Sequence, residues 1–513
     1  MPNFVYIIGA GPGDPGLITV RGLQCLRSAD VVLHDHWVHP RLLRHAREGA
    51  EIIDVGLASP QPLDQEAICY LLAEKAREGK TVARLKWGDP FVFDRGGAEA
   101  LFLHEQGVRF EVVPGILAGI GAATYAGVPL TYPDSGDTLT FVRGHEGGGN
   151  AAPSVDWTSL ARLDGSLVCY AGPDQLTHIL DALIAHGRPA DESAVLIYNG
   201  TLPTQETRQD SLQGLAHFAR QSSDRRPAIL VVGRVAALRD HLRWFDTRPL
   251  FGKRILVTRP KDQAPELVDL LEALGADTIE APMVRILPPE DYGPLDEACT
   301  TASGFDWIVF TSANAVDAFM ARLQASPFDV RALHGPKLCA VGPATAERLA
   351  RHGLKVDLVP TEYRAEGVSQ AIAKQGQVRG ARVLLPRADI GREVVASELR
   401  RQGADVTEVI AYRTAATEPD REGEPDIFRM LLDRRIDVVT FASASAVRTF
   451  VNILGAEPAA DLLRTTVVAA VGPVTAAAAA KWGIHTTIVP AHYTIPALVG
   501  AIVEYFQTLK AES

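Results

Sequence analysis

The stretch FTSANAVDAF, Phe310 to Phe319, returns as FASASAVRTF, Phe441 to Phe450. Each copy closes a short apolar, β-branched run (Trp307–Phe310, Val438–Phe441), passes a small polar turn and enters an apolar segment of helical period. Each therefore reads as strand, turn and helix. Three further pairs keep the same order: Gly252-KRILVTRP with Gly380-ARVLLPRA, Ala340-VGPATA with Ala470-VGPVTA, and Val359-PTEY with Val489-PAHY. All four recur at a separation of about 130 positions, far too long for a solenoid unit. The C-terminal half is thus expected to be two similar α/β lobes with a ligand cleft between them.

Outward from the repeat, apolar runs of the same kind lie at Phe4–Ile8, Val31–Leu33, Val82–Leu85, Leu167–Tyr170 and Leu230–Val232. Helix-period stretches such as Glu66–Arg77 and Ala264–Leu274 lie between strands, so the chain reads as α/β with mainly parallel sheets covered by helices. The segment Phe245–Gly252, FDTRPLFG, combines proline, glycine and charge. It sets an N-terminal domain over 1–245, a linker over 246–251 and a C-terminal domain over 252–513.

Composition narrows the function classes. At about 100–200 residues per domain, 513 residues imply three or four domains. Hydrophobic residues at 47% and charged residues at 22% belong to a globular chain, not a disordered or fibrous one. A net charge of −11 gives no global attraction to nucleic acid or anionic lipid, so an anionic ligand needs a local site. The N-terminal apolar run, Phe4–Ala10, has no basic flank and breaks at once on glycine, unlike a signal peptide. No run of about 18 apolar residues occurs. Cys25, Cys69, Cys169, Cys299 and Cys339 are too scattered for a disulfide framework or a metal knuckle, and read as buried free thiols. The expectation is a cytoplasmic protein with no metal, no nucleic-acid partner and no membrane partner.

The repeat also carries chemistry. Ser312 and Ser443 fall near helix starts, and Pro343 and Pro473 read as first-turn prolines with Thr345 and Thr475 just beyond. Helix N-termini around one cleft would hold carboxylates or phosphates, but serine and threonine there are equally at home as plain caps. In the first half, Gly9-AGPGDPG follows a strand, yet Pro12 and Pro15 sit where a dinucleotide fingerprint needs its helix to begin. Lys86-WGDPFVFDRGG, Val113-PGI and Tyr198-NGT add further glycine turns at strand ends. Together they suggest either a backbone-lined ligand site or a set of structural turns.

These strings carry a resemblance. VYIIGAGPGDPGLIT, ADVVLHDHWV, LKWGDPFVFDRGG, EVVPGI, YAGVPLT, GHE, NGT and PAILVVGRVAALRDHLRWF, spread over residues 3 to about 245, resemble the uroporphyrinogen-III C-methyltransferases of the tetrapyrrole methylase superfamily. ILVTRP, the two V-G-P-x-T-A units and Ala411-YRT make residues 252 to about 506 similar to the uroporphyrinogen-III synthases. The product of the second activity is the substrate of the first. The resemblance implies two α/β subdomains, near 1–115 and 116–245, with S-adenosylmethionine in the cleft between them. It further implies a cofactor-free synthase of two parallel α/β lobes, 252–288 with 416–513, and 289–415. Its partners would be small tetrapyrroles and a second copy docked through the methylase half.

Residue by residue, Pro12, Trp87, Gly88, Asp89, Val92, Leu117, Ala118, Ala171, Gly200, Pro227 and Ala228 fall on cofactor-binding positions, and Asp35 on a catalytic carboxylate. Tyr412 falls on the tyrosine associated with departure of the substrate hydroxyl, and Thr345 and Thr475 on substrate-binding threonines. Tyr412 could equally be a core tyrosine with a hydrogen-bonded tip. Ser312 and Ser443 are added as substrate contacts on physical grounds. The chain departs from the methylase pattern at several places. Leu57 stands for a catalytic lysine and Ala58 for the arginine beside it, Trp87 for a glycine, Leu117 for a threonine and Ala171 for a methionine. His34-Asp35-His36 replaces Tyr-Asp-Arg, and Thr131-Tyr132-Pro133-Asp134 replaces Thr-His-Arg-Asp. Two readings follow. One is a bifunctional enzyme making precorrin-2, on the route to sirohaem or cobalamin. The other is a working synthase whose methylase-like half serves for binding or dimerisation.

Overall fold

The structure is a computed structural model describing residues 3–56, 63–144, 155–260, 263–281, 284–360, 365–376, 378–389, 394–416, 426–454 and 456–512. Its internal contacts divide the chain into two units, Met1–Gly252 with Leu274–Asp277, and Lys253–Ala273 with Thr278–Ser513.

The first unit opens with five strands: β1 (Phe4–Gly9), β2 (Val31–His34), β3 (Glu51–Asp54), β4 (Thr81–Lys86) and β5 (Arg109–Val113). They form one parallel sheet in the order β3-β2-β4-β1-β5. Successive side chains on a strand face opposite ways. Val5, Ile7, Val31, Leu33 and Val82 therefore pack on one face against the helices Gln65–Arg77 and Gly96–Glu105. Tyr6, Ile8, Val32, Ala83 and Leu85 pack on the other with Cys25 and Leu26 of the helix Val20–Ser28. Thr19 starts that helix by accepting the Gly22 N–H.

The second sheet of this unit contains β6 (Thr138–Arg143), β7 (Gly165–Ala171), β8 (Ser193–Tyr198), β9 (Glu206–Ser211) and β10 (Ala228–Val232), in the order β6-β7-β10-β8-β9. Only β6 and β7 run parallel; β10 is antiparallel to both β7 and β8, and β9 to β8. This corrects the expectation of mainly parallel sheets for this part of the chain. The turn from β8 to β9 is too short for the crossover that parallel neighbours require. β9, reading ETRQDS, alternates exposed and half-buried residues as a polar edge strand, and its lack of an apolar run hid it from the sequence pattern.

The second unit follows the repeat. Its strands are β11 (Arg254–Val257), β12 (Asp277–Glu280), β13 (Val284–Leu287), β14 (Trp307–Phe310), β15 (Lys337–Ala340), β16 (Arg382–Ala388), β17 (Asp405–Ala416), β18 (Val438–Phe441) and β19 (Val467–Ala470). One sheet has the order β12-β11-β18-β19, the other β13-β17-β16-β14-β15. β11, β18 and β19 match β16, β14 and β15 in order and in parallel direction. The later motifs match as well, since Leu358 bridges Cys339 and Ile488 bridges Ala469. The opening strand thus pairs with the C-terminal part while the middle of the chain builds the other sheet. β13 departs from the expected lobe boundary: it lies within 252–288 but pairs antiparallel with the end of β17. The twelve-residue length of β17 makes this possible, because it runs past β16 and leaves an edge to cover. All five cysteines are buried and free.

Candidate functional sites

In the first unit the loops leaving β1, β4 and β5 meet at the carboxyl ends of the strands. A Cβ on Gly9 would lie 2.5 Å from the Gly115 Cα, and one on Gly115 only 2.2 Å from the Gly88 carbonyl oxygen. Gly9 and Gly115 are therefore there to let backbones touch. Gly88, at φ +71, exchanges two main-chain hydrogen bonds with Gly11 (2.8 and 3.3 Å). Asp89 is spent on the same loops, accepting the N–H groups of Phe91 (2.9 Å) and Gly115 (3.0 Å). The Trp87 indole N–H donates to the Pro12 carbonyl at 3.0 Å, tying the first and second loops together. Val92 is exposed.

The second subdomain supplies the other expected positions. Leu117 precedes the helix Ala118–Tyr125 and gives it no side-chain cap. Ala171 and Ala228 are cross-strand partners, and Tyr198 pairs Ala228 from the other side, which brings Gly200 close by. Pro227 is exposed just before β10. The subdomains are joined by Thr201, whose Oγ1 accepts the Asp14 N–H (3.0 Å), and by the Tyr125 hydroxyl, which donates to Asp14 (2.7 Å). Thr201 holds φ +72, with Asn199 at +48 and Phe93 at +56 nearby in sequence to the expected positions. For a β-branched residue this is strain, maintained by the Gln205 side-chain Oε1, which accepts the buried Thr201 N–H at 2.8 Å. An uncapped helix start, a glycine whose added Cβ would meet only the Ala118 nitrogen at 3.7 Å, and alanines at 118, 171 and 228 fit a cofactor read by main-chain groups.

Asp35 follows β2 and is one-quarter exposed. Arg84 of β4 pairs with its Oδ1, the Trp87 N–H donates to Oδ2 at 3.3 Å, and Lys86 Nζ lies 3.9 Å from Oδ2. Burial pushes this carboxyl up, but Arg84 and Lys86 more than offset that and hold it below the usual carboxylate range. Sequence reasoning missed both cations. They alternate within the run Val82–Leu85 and just beyond it, and two cations on one face of an otherwise apolar buried strand were the available signal. Leu57 lies outside the described residues.

In the second unit Tyr412 is nearly buried, and its hydroxyl shares a hydrogen bond with Ser312 Oγ at 3.1 Å. A register irregularity between Arg387 and Ala388 sets Tyr412 opposite Ala388 at the end of β16. Ser312 also caps the helix Ala313–Ala325 by accepting the Ala315 N–H (3.2 Å), so the cap reading and the site reading describe the same side chain. Ser443 does the same for Ala446 (3.2 Å) and meets Ser445 Oγ at 2.9 Å. Thr345 and Thr475 occupy the first turns of Pro343–Arg351 and Pro473–Ala480 and are buried. Gln263 reaches from the β11 side to Asn314 Oδ1 at 2.5 Å, a direct link between the lobes. A second signal was overlooked: Arg259 and Arg387 hold equivalent places in the repeat. Each is paired with a glutamate, Arg259 with Glu266 (3.1 Å) and Arg387 with Glu408 (2.7 Å).

Two α/β units, one with a glycine-looped cleft and a caged aspartate, the other duplicated around a tyrosine–serine pair, define a two-part enzyme. Residues 5–216 match the model of the tetrapyrrole (corrin/porphyrin) methylases, and residues 265–500 that of uroporphyrinogen-III synthase HemD. The chain is 34% identical to "Porphyrin biosynthesis protein HemD" of Ruminiclostridium josui, over 98% of each chain. It is 36% identical to "Uroporphyrinogen-III C-methyltransferase" of Bacillus subtilis, over 70% of this chain and 73% of that one. Among solved structures, uroporphyrin-III C-methyltransferase of Thermus thermophilus complexed with S-adenosylhomocysteine is 35% identical, covering 46% of this chain and 99% of that one, with a TM-score of 0.40. The chain belongs to the family that fuses a tetrapyrrole methylase to a uroporphyrinogen-III synthase, and is a bifunctional enzyme of tetrapyrrole biosynthesis. No helix among the described residues is long and apolar enough to cross a membrane.

Proposed function

We propose that the second unit closes hydroxymethylbilane to uroporphyrinogen III with inversion of ring D, and that the first unit methylates that product twice to precorrin-2, on the sirohaem or cobalamin route. The observation that carries the reading is the Tyr412–Ser312 hydroxyl pair, set at the strand end of a cleft-forming repeat. Ring closure needs a hydroxyl to leave, a cationic intermediate to be tolerated and a flexible chain to be folded one way. In this reading the Tyr412 hydroxyl donates its proton to the departing oxygen while Ser312 fixes its direction. Thr345, Thr475 and Ser443 hold the substrate, and the repeat-related Arg259 and Arg387 meet its carboxylates, which charge-assisted pairs suit.

For methyl transfer, S-adenosylmethionine supplies the electrophilic methyl group when bound. Pro12, Gly88, Asp89, Val92, Leu117, Ala118, Ala171, Gly200, Pro227 and Ala228 line its place, with the Trp87 indole at the rim. Asp35, kept ionised by Arg84, takes the pyrrolic proton at its carboxylate. A homodimer through the methylase half and residence in the cytoplasm belong to the same proposal.

One observation favours the second reading, a synthase with a silent methylase half: Trp87 already satisfies its indole N–H on the Pro12 carbonyl and bridges two loops of the cofactor cleft. The test is product analysis. Hydroxymethylbilane is supplied with S-adenosylmethionine, and products are separated by isomer and mass. Dimethylated type III product supports the bifunctional reading. Unmethylated uroporphyrin III alone supports the second, and type I product alone overturns both.

A further inference from the structure

All six residues of β4 are buried, and β4 lies between β2 and β1 inside its sheet. Alternation sends Arg84 and Lys86 to the face of Val82, into the apolar layer under the helices Gln65–Arg77 and Gly96–Glu105. There they are 1% and 2% exposed. Cations in such a place persist only when paired. Lys86 Nζ meets Glu99 Oε1 at 3.0 Å, Asp94 Oδ1 at 3.1 Å and Asp35 Oδ2 at 3.9 Å. Arg84 takes Asp35 Oδ1, Glu99 Oε1 (3.3 Å) and the Leu85 carbonyl (3.1 Å). Gln65 of the neighbouring helix also donates to Glu99 Oε1, at 3.1 Å.

Two cations thus face three carboxylates, and the buried Glu99 Oε2 has no hydrogen-bond partner among the described residues. Burial outweighs the pull of Lys86 and raises the Asp94 carboxyl. A cluster of this kind is a poor route to stability, since apolar replacements of buried ion pairs are often neutral or better. Its layout is directional instead. Arg84, Lys86 and Glu99 are closed off, whereas Asp35 and Asp94 reach outward with side chains 24% and 22% exposed. Other charged or titratable groups near Asp35 are His34, whose Nδ1 lies 3.1 Å from the Asp35 carbonyl, His36, and Asp54 of β3, engaged with the Gly56 N–H (2.8 Å).

Resting on the reading of Asp35 as the carboxylate of the methyl-transfer site, we infer that Arg84 and Lys86 are its positioning residues, locked from behind by Glu99 and holding both carboxylate oxygens. The cations that serve Asp35 then come from the buried strand β4 and not from position 57, where leucine stands for the family's lysine.

The test uses the full chain and follows the carboxyl carbon of Asp35 by 13C NMR, as the difference between the protein and its Asp35→Asn variant. In the parent the signal titrates below the usual carboxylate range. In Arg84→Met or Lys86→Met it moves up by about one to three pH units. Arg84→Lys moves it less, which keeps the test alive if Arg84→Met does not fold; melting curves show which variants are native. With methyl transfer as the second readout, the acid limb of the kcat profile moves with the carboxyl while KM for S-adenosylmethionine stays put. An Asp35 signal that titrates unchanged in Arg84→Lys and Lys86→Met overturns the inference. A signal that moves in a chain transferring no methyl group upholds the positioning role and overturns only the reading of Asp35 as a reaction group.

Discussion

Replacing Tyr412 by phenylalanine separates a reacting hydroxyl from a core tyrosine by size of effect. The change deletes one neutral hydrogen bond, to Ser312 Oγ at 3.1 Å, and leaves the ring in the cluster of Leu295, Phe310 and Val409. A bond of that kind is worth about 0.5–1.5 kcal/mol net. At about 2–4 °C per kcal/mol for a unit of this size, melting falls by a few degrees at most. Ser312→Ala loses the same bond and also the cap on Ala315, about 1 kcal/mol more. The double variant then costs less than the sum, because both singles delete one shared contact. Proton donation to a leaving hydroxyl is a different scale, about 10²–10⁴-fold in rate, or about 3–5 kcal/mol of barrier. Cyclisation of hydroxymethylbilane is followed by separating type III from type I uroporphyrin after oxidation, since any substrate the enzyme drops closes without inversion. The expected outcome is a hundredfold or greater loss of type III formation in Tyr412→Phe, with melting nearly intact. A rate within about tenfold of the parent and an unchanged isomer ratio would refute the assignment and leave Tyr412 as packing.

Other outcomes can be stated more briefly. Trp87 is one of six tryptophans, and titrating S-adenosylhomocysteine should quench part of the emission saturably; in Trp87→Phe that component disappears, and an identical quench in the variant removes Trp87 from the cofactor site. Gly115→Ala drives a Cβ to within 2.2 Å of the Gly88 oxygen, so it should lower the melting of the first unit by several degrees and weaken cofactor binding, while cyclisation by the second unit is unchanged. Burial pushes the thiols of Cys169, Cys299 and Cys339 up to about 12. A disulfide reagent at pH 8 should therefore leave them untouched in the native protein and label all five cysteines only after denaturation. Fast native labelling at any of those three would contradict their burial.

The duplicated half was the most legible part of the chain. Its motifs sit at strand ends and helix starts, where chemistry depends on short polar turns, so the repeat was visible without any knowledge of contacts. Long-range pairing was less visible. Nothing local in Ile255 specifies Val438 as its neighbour, and the placement of β13 on β17 depends on an overhang set by the far end of that strand. β9 escaped because an edge strand exposed along one side has no apolar run to show. The cage around Asp35 escaped for a related reason. Its members are scattered over residues 35, 84, 86, 94 and 99, and although the two cations of β4 were a signal in sequence, only the fold gathers the three carboxylates around them. The glycine turns were legible as turns. That Gly9 and Gly115 serve the contact of two backbones could only come from the geometry.

The order of strands in the second unit also bears on how the chain is made. Residues leave the ribosome from the N-terminus, so β14 to β17 emerge together and can close their sheet at once. β11 and β12 emerge before them and can pair with each other, but the second edge of β11 has no partner until β18 follows, about 180 residues later, which makes that pairing the slow and exposed step. Until then the open edge of β11 is a place where two nascent chains can join instead of one chain with itself. Conditions that stall synthesis between residues 416 and 438 should therefore be the ones that yield entangled dimers.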